Sequence, residues 1–144
     1  MIYQAHPKDH PALTHLALRL WPDNEPSDLE VELAPLLSSP NAALFLACDN
    51  ETPIGFAQCQ LRHDYVEGTE SSPVGYLEGI FVAESHRHHG FARLLLSACE
   101  VWARTKGCRE FASDCELTNT ESLRFHLHTG FTEANRIICF TKQL

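Results

Sequence analysis

The stretch Val82-Ala83-Glu84-Ser85-His86-Arg87-His88-His89-Gly90-Phe91-Ala92-Arg93 sets three imidazoles and two guanidiniums around one glycine, just ahead of an aliphatic run. Two chemistries use such residues. Imidazoles bind metals, but histidines at i and i+2 with a third adjacent do not converge easily from a helix start. No carboxylate or cysteine falls at a regular ligand spacing nearby, so no metal site is expected. The second chemistry is anion binding. A strand, a polar turn and a glycine opening a long helix present unpaired backbone N–H groups at a helix N-terminus, where the helix dipole favours phosphate. Gly90 lets the backbone come close to a ligand, Ala92 keeps that approach open, and Arg87 and Arg93 add positive charge. An ordinary strand–turn–helix connection carries the same pattern.

Two carboxylates stand out by position. Glu78 interrupts the apolar run "YLEGIFV", a poor place for a charge unless it faces a cleft. Asp114 closes "REFASD", at the end of a strand, where an α/β-type sheet presents residues to a ligand crevice.

These residues need elements to position them. Ile2 to Ala5 reads as a short strand. Asp9 can cap a helix with Leu13, Leu16, Ala17 and Leu20 on one face, ending before Pro22. A second, acidic helix is expected over Ser27–Leu37, with Leu29, Leu33, Leu36 and Leu37 inward. Strands follow over Ala43–Cys48 and Pro53–Arg62, then a polar loop from His63 to Pro73. Val74–Val82 reads as a central strand, with Gly75 and Gly79 as bulge points. From Gly90 the period becomes helical, with Leu94, Leu95, Ala98, Cys99 and Trp102 inward and Gly107 ending the helix. A strand over Glu110–Asp114, a helix over Asn119–Thr129 closed by Gly130, and a last strand over Arg136–Thr141 complete the chain. The fold class is α/β (α+β), a mixed central sheet flanked by helices, in a single domain spanning residues 1–144.

Composition sets outer bounds. The net charge of −8 argues against nucleic acid as a partner and for cationic ones. No stretch approaches the roughly 20 apolar residues that cross a bilayer, and the N-terminus has no signal-peptide pattern. The six cysteines lack C-x-x-C spacing; Cys48, Cys59, Cys99 and Cys139 lie in apolar runs and read as buried free thiols, so a cytoplasmic location is expected.

Arg87-x-x-Gly90-x-Ala92 after "LEGIFV" resembles the pyrophosphate-binding signature of the GCN5-related N-acetyltransferase (GNAT) superfamily. "NTESLRFHLHTGF" (Asn119 to Phe131) resembles its later helix-and-turn motif, and order, spacing and length match throughout. "RLWP", "LRHDYV", "SSPVGYLEGIFV", "KGCREFASD" and the C-terminal third are similar, more narrowly, to aminoglycoside 6'-N-acetyltransferases of Gram-negative bacteria.

The resemblance implies a splayed central strand pair, acetyl-CoA as co-substrate and a cationic aminoglycoside as acceptor. Pyrophosphate would sit on the amides of His88, His89, Gly90, Phe91, Ala92 and Arg93, beside Arg87. The pantetheine arm would pair with the main chain of Ile80, Phe81 and Val82, and Asn119 would bond its end unless it is simply a helix cap. Asp114 is the first candidate base and Glu78 the second, directly or through water. His126 stands where the superfamily often has a tyrosine that serves the leaving thiolate; an ordinary helix histidine is the other reading. Trp21, Tyr65, Glu78, Asp114, Glu133 and Asn135 are candidate contacts to the drug, with core packing open for Trp21 and solvent exposure for Tyr65. The apolar last strand would pair two copies into a homodimer. Competing readings are acetylation of a polyamine or peptide amine, and a non-catalytic acyl-CoA sensor.

Overall fold

In Thr52–Arg62, apolar Ala57, Cys59 and Leu61 alternate with Phe56, Gln58, Gln60 and Arg62, and the computed structural model, which describes residues 1–144, builds the site on that alternation. The chain runs β1 (Ile2–Gln4), α1 (His10–Leu20), α2 (Pro26–Leu36), β2 (Ala42–Asp49), β3 (Thr52–Arg62), β4 (Val74–Val82), α3 (Phe91–Thr105), β5 (Phe111–Ser113) and α4 (Thr120–His128). All five strands form one sheet in chain order, antiparallel except for the parallel β4–β5 pair. The expected mixed sheet with flanking helices is therefore present.

Period two sorts the side chains to opposite faces of the sheet. Ala57, Cys59, Leu77 and Val82 pack with Leu95, Leu96, Cys99 and Trp102 of α3 on one side. Phe56, Phe81, Leu44 and Leu46 pack with Leu13, Leu16 and Ala17 of α1 and Leu29 and Leu33 of α2 on the other. No helix is long and apolar enough to cross a membrane.

Two irregularities in β4 shape the molecule. Gln58 pairs with Gly79, but Cys59 pairs with Leu77, so Glu78 is an extra residue in the ladder. This bulge turns Glu78 and Gly79 both toward α1 and α2, while Leu77 and Ile80 face α3. The expectation of a bulge near Gly79 holds, whereas Gly75 serves another purpose. A Cβ there would lie 2.6 Å from the Phe111 ring and 2.7 Å from the Ala103 Cβ, so Gly75 lets β5 and α3 close on the strand. The second irregularity is a divergence. β5 pairs with β4 only from Gly75 to Leu77, and from Glu78 to Val82 that edge has no strand partner. The central pair splays there.

Several expectations are corrected. Pro7–Asp9 form a short 3-10 turn, and Asp9 holds the N-cap position of α1 without a side-chain capping bond; its carboxylate accepts the His6 N–H at 2.9 Å and the Tyr3 hydroxyl at 3.3 Å. The buried stripe of α3 uses Leu96 and not Leu94, which is 54 % exposed. Cys48, Cys59, Cys99 and Cys108 are buried free thiols, but Cys115 and Cys139 are exposed. Above all, Arg136–Thr141 forms no strand. A strand needs a neighbour to complete its ladder, and the sheet order ends at β5 with none for it.

Candidate active site

Tyr76, Glu78 and Gly79 on β4 and Gln58, Gln60 and Arg62 on β3 share the face covered by α1 and α2. A cleft of ≈ 420 Å³ opens there, lined by Trp21, Leu29, Leu33 and Leu36 on the helix side and by Gln58, Gln60 and Glu78 on the sheet side, with Asn24 and Glu32 at its edges. Trp21 lies across Gly79, where a Cβ would come within 2.6 Å of the indole, and meets Phe56 edge to face at 6.0 Å. Trp21 thus packs on the core and lines the cleft at once.

Four polar side chains form a connected network at the sheet edge of this cleft. Arg62 donates from Nε to Glu78 Oε1 at 3.1 Å and from Nη2 to Oε1 and Oε2 at 3.0 and 2.9 Å. Its Cζ sits 3.4 Å from the centroid of the Tyr76 ring. The Tyr76 hydroxyl donates to Asp114 Oδ2, just past the end of β5. Burial, then the Asp114 hydrogen bond and charge, hold the phenol well above its ordinary range, so it stays protonated and remains a donor. The Arg62 guanidinium is held further above its already high value by Glu78. Glu78 and Asp114 are brought together through Tyr76 and Arg62, neither of which the sequence reading singled out. The available signal was the row Gln58, Gln60, Arg62, polar at every second position of a strand whose other face is apolar.

His126, on α4, reaches Ser113, the residue before Asp114. Its Nδ1 lies 2.7 Å from the Ser122 carbonyl, which can only accept, so Nδ1 carries the proton; Nε2 accepts the Ser113 hydroxyl at 2.8 Å. Phe125 and Phe131 flank the ring at 5.7 and 5.0 Å. Ser113 belongs to the last β4–β5 pair, Leu77 with Ser113, so this couple stands at the fork of the splayed strands. Asn119 caps α4, its carbonyl oxygen accepting the Ser122 N–H at 3.1 Å.

The turn before α3, where the pyrophosphate is expected, is built on two left-handed residues. His88 and Gly90 take positive φ of 62° and 87°, Gly90 is the N-cap of α3, and a Cβ on it would meet nothing within 4 Å. His88 and His89 are exposed. The arginine side chains are otherwise occupied: Arg87 donates from Nε to the Val82 carbonyl at 2.9 Å, and Arg93 donates to the His128 carbonyl at 3.0 Å, tying α3 to the end of α4. His86 joins Ser85 and Asp49 at 2.8 and 3.2 Å, and no three histidine, cysteine or acidic side chains gather as metal ligands.

Tyr65, Glu133 and Asn135 lie outside the lining of the cleft. Tyr65 is 78 % exposed on the 63–73 loop, Asn135 donates to Glu67 of that loop at 3.0 Å, and Glu133 pairs with Arg136.

The profile of the acetyltransferase (GNAT) family matches residues 10–131. The chain belongs to this family. Aminoglycoside N(6')-acetyltransferase type 1 of Stenotrophomonas maltophilia is 46 % identical over 145 residues, covering 99 % of this chain and 93 % of that protein. The protein of the same name from Serratia marcescens is 42 % identical over 132 residues, 90 % of each. The structure of AAC(6')-Iy in complex with the bisubstrate analog CoA-S-monomethyl-acetylneamine is 38 % identical, with a TM-score of 0.96 over 100 % of this chain and 98 % of that one. As a GNAT-family member the chain is an acetyl-CoA-dependent N-acetyltransferase. Its residues fit that co-substrate: the edge of β4 from Glu78 to Val82 has no strand partner, and no atom lies within 4 Å of where a Cβ on Gly90, at the start of α3, would stand.

Proposed function

We propose that this enzyme transfers acetyl from acetyl-CoA to the 6'-amine of aminoglycosides and so confers resistance to them. The carrying observation is the cleft that joins Trp21 to the carboxylates of Glu32 and Glu78, beside the unpaired edge of β4. A polycation bearing sugar rings needs such a combination of acidic groups and an aromatic wall. The names of the relatives and the acetylneamine portion of the analog held by AAC(6')-Iy support the same acceptor.

Acetyl-CoA supplies an acetyl group activated as a thioester. The amides from His88 to Arg93 hold its pyrophosphate, and the main chain of Ile80, Phe81 and Val82 takes the pantetheine arm as an added strand. Of Phe81 and Val82, Phe81 turns its amide toward β3, so the Val82 amide, on the unpaired edge, donates to the oxygen on which charge develops. Asn119 keeps its side-chain amide N–H for the pantetheine end while its oxygen caps α4. Asp114, and after it Glu78, takes the proton of the acceptor ammonium, directly or through water. His126 serves the leaving thiolate, relaying to it the proton that the new amide nitrogen gives up as the intermediate collapses, or orienting a water that does so. Trp21 frames the drug's rings, with Tyr65, Glu133 and Asn135 as outer contacts. Residues 1–144 act as one catalytic domain in the cytoplasm, and the exposed run Arg136–Thr141 joins two copies in a homodimer.

Thiol release from acetyl-CoA with kanamycin or tobramycin, set beside spermidine and a short peptide, tests this reading. Release with the aminoglycosides, and none with a 6'-hydroxyl analogue, is expected. Release only with spermidine or peptide overturns the acceptor; acetyl-CoA binding with no release from any amine makes the chain a sensor.

A further inference from the structure

One side chain of the cleft is polar, buried and without a partner. Gln58, near the middle of β3, is 9 % exposed, yet its side-chain amide makes no hydrogen bond to any protein group. Thr14, the other buried polar residue, donates its hydroxyl to the His10 carbonyl at 2.9 Å. No fully buried side-chain nitrogen or oxygen of the molecule lacks a partner, so the Gln58 amide is not sealed into the core. It opens on the space that the residue lines, which is the cleft.

The surroundings of that amide are apolar. Gln58 stands between Leu44 of β2 and Gly79 of β4, with Phe56 before it on the same face and the Trp21 indole over Gly79. A methionine would fill such a place with no polar group to desolvate. The glutamine instead carries two N–H donors and a carbonyl acceptor that the protein leaves unused.

We propose that Gln58 determines acceptor specificity by hydrogen-bonding a hydroxyl of the sugar ring that carries the reacting amine. The inference rests on the aminoglycoside reading of this cleft.

Position and chemistry both select that group. Gln58 pairs with Gly79, next to Glu78, and directly opposed residues stand about 5 Å apart. A ring whose amine reaches the Glu78 carboxylate therefore covers the amide. Ammonium groups only donate, and the ionised carboxylates of Glu78 and Glu32 are the stronger acceptors in the cleft. A hydroxyl both donates and accepts, so it suits an amide in either orientation. When the ring seats, water leaves, and an amide covered by a methylene stays buried and unpaired. That loss falls only on acceptors lacking the hydroxyl, and it amounts to roughly ten- to hundredfold in affinity. Sites built to bond a substrate hydroxyl reject its deoxy analogue for this reason.

The test is isothermal titration of the CoA-saturated full chain with kanamycin B, tobramycin and dibekacin. These drugs carry the same amines and lose first the 3' and then the 4' hydroxyl of the ring bearing the 6'-amine. Any change that deoxygenation makes in the basicity of those amines is common to wild type and variant, and cancels in the comparison. The wild type is expected to bind kanamycin B at least about tenfold more tightly than dibekacin. Gln58→Met, which keeps the length without the polar atoms, should bring that ratio to about twofold or less, chiefly by weakening kanamycin B. Gln58→Leu repeats the comparison if the methionine variant shows no cooperative melt. A wild type that binds the three drugs alike overturns the proposal, and so does a ratio that survives in the variant. Equal weakening of all three drugs overturns it too, making Gln58 a support for the cleft floor. Failure of the aminoglycoside reading is seen separately, in acetyl transfer: the wild type then acetylates none of the three, whatever its binding ratios.

Discussion

Asp114 accepts the Tyr76 hydroxyl, and that phenol is held above its ordinary range first by burial and then by the carboxylate itself. The proton therefore stays on Tyr76 at neutral pH and Asp114 Oδ2 keeps its donor, which in the proposed mechanism leaves Oδ1 for an acceptor amine. Asp114→Asn removes the proposed base but keeps a hydrogen-bond partner for Tyr76. Its kcat/KM for tobramycin should fall about 100- to 10,000-fold, with the KM for acetyl-CoA within about twofold of wild type. A loss below about threefold would move the proton transfer to Glu78. Tyr76→Phe makes a separate, pH-dependent prediction. The unfolded phenol titrates near 10, and the folded one holds its proton more tightly, so its stabilising contribution is whole below pH 10 and is lost as pH rises through the folded value. Thermal melts of Tyr76→Phe should lose less stability than the wild type between pH 10 and 12, although Tyr3, pushed up to about 12 chiefly by burial, still titrates in both. The sequence made Glu78 and Asp114 legible because one breaks an apolar run and the other ends a strand. Arg62 and Tyr76 were hidden, because an arginine at a strand end and a tyrosine inside one are ordinary until a bulge turns their neighbours toward the same cleft.

At the scale of elements, two glycines would separate the proposed acceptor arm from the proposed cofactor arm. Gly79 makes room for the Trp21 indole, and Gly90 supplies the left-handed N-cap of α3. Gly79→Ala puts a methyl within 2.6 Å of that ring, so Trp21 must shift out of the cleft. The aminoglycoside KM should rise about tenfold while the acetyl-CoA KM stays put. Gly90→Ala finds open space but an unfavourable φ, costing about 1–2 kcal/mol and lowering Tm by roughly 3–6 °C. Its acetyl-CoA KM should rise about tenfold, because the turn that presents the amides is strained, with the aminoglycoside KM little changed. Steady-state kinetics with each substrate varied in turn checks both. If the two substitutions affect the same KM, the arms are not separate. Element boundaries were readable wherever period and punctuation agreed, as in Val74–Val82, which matches residue for residue. The buried stripe of α3 was displaced because "ARLLLSACE" offers three consecutive leucines, and only packing against β3 and β4 decides which two turn inward.

The largest gap between sequence and fold concerns the molecule as a whole. Arg136–Thr141 is apolar and β-branched like a strand, yet the chain gives it no ladder. Its Ile137, Ile138 and Phe140 are 71, 81 and 87 % exposed. Local pattern can state that a segment is suited to pair; it cannot state with which chain. The start of the tail is fixed, with Ala134 against Gly68 and Asn135 on Glu67, so the apolar run leaves the body at a defined place. Three large apolar side chains in four positions are costly to leave in water, and a second copy carrying the same run is the partner always at hand. The full chain should therefore sediment as a dimer at micromolar concentration. Ile138→Asp sets a charge in the middle of the run without touching the core, and it should shift the species to monomer with a circular dichroism spectrum unchanged. A full chain that stays monomeric at tens of micromolar sinks the homodimer. A dimer that Ile138→Asp leaves intact would instead place the interface elsewhere, and the exposed outer positions of α3, Leu94 and Val101, would be the next face to substitute.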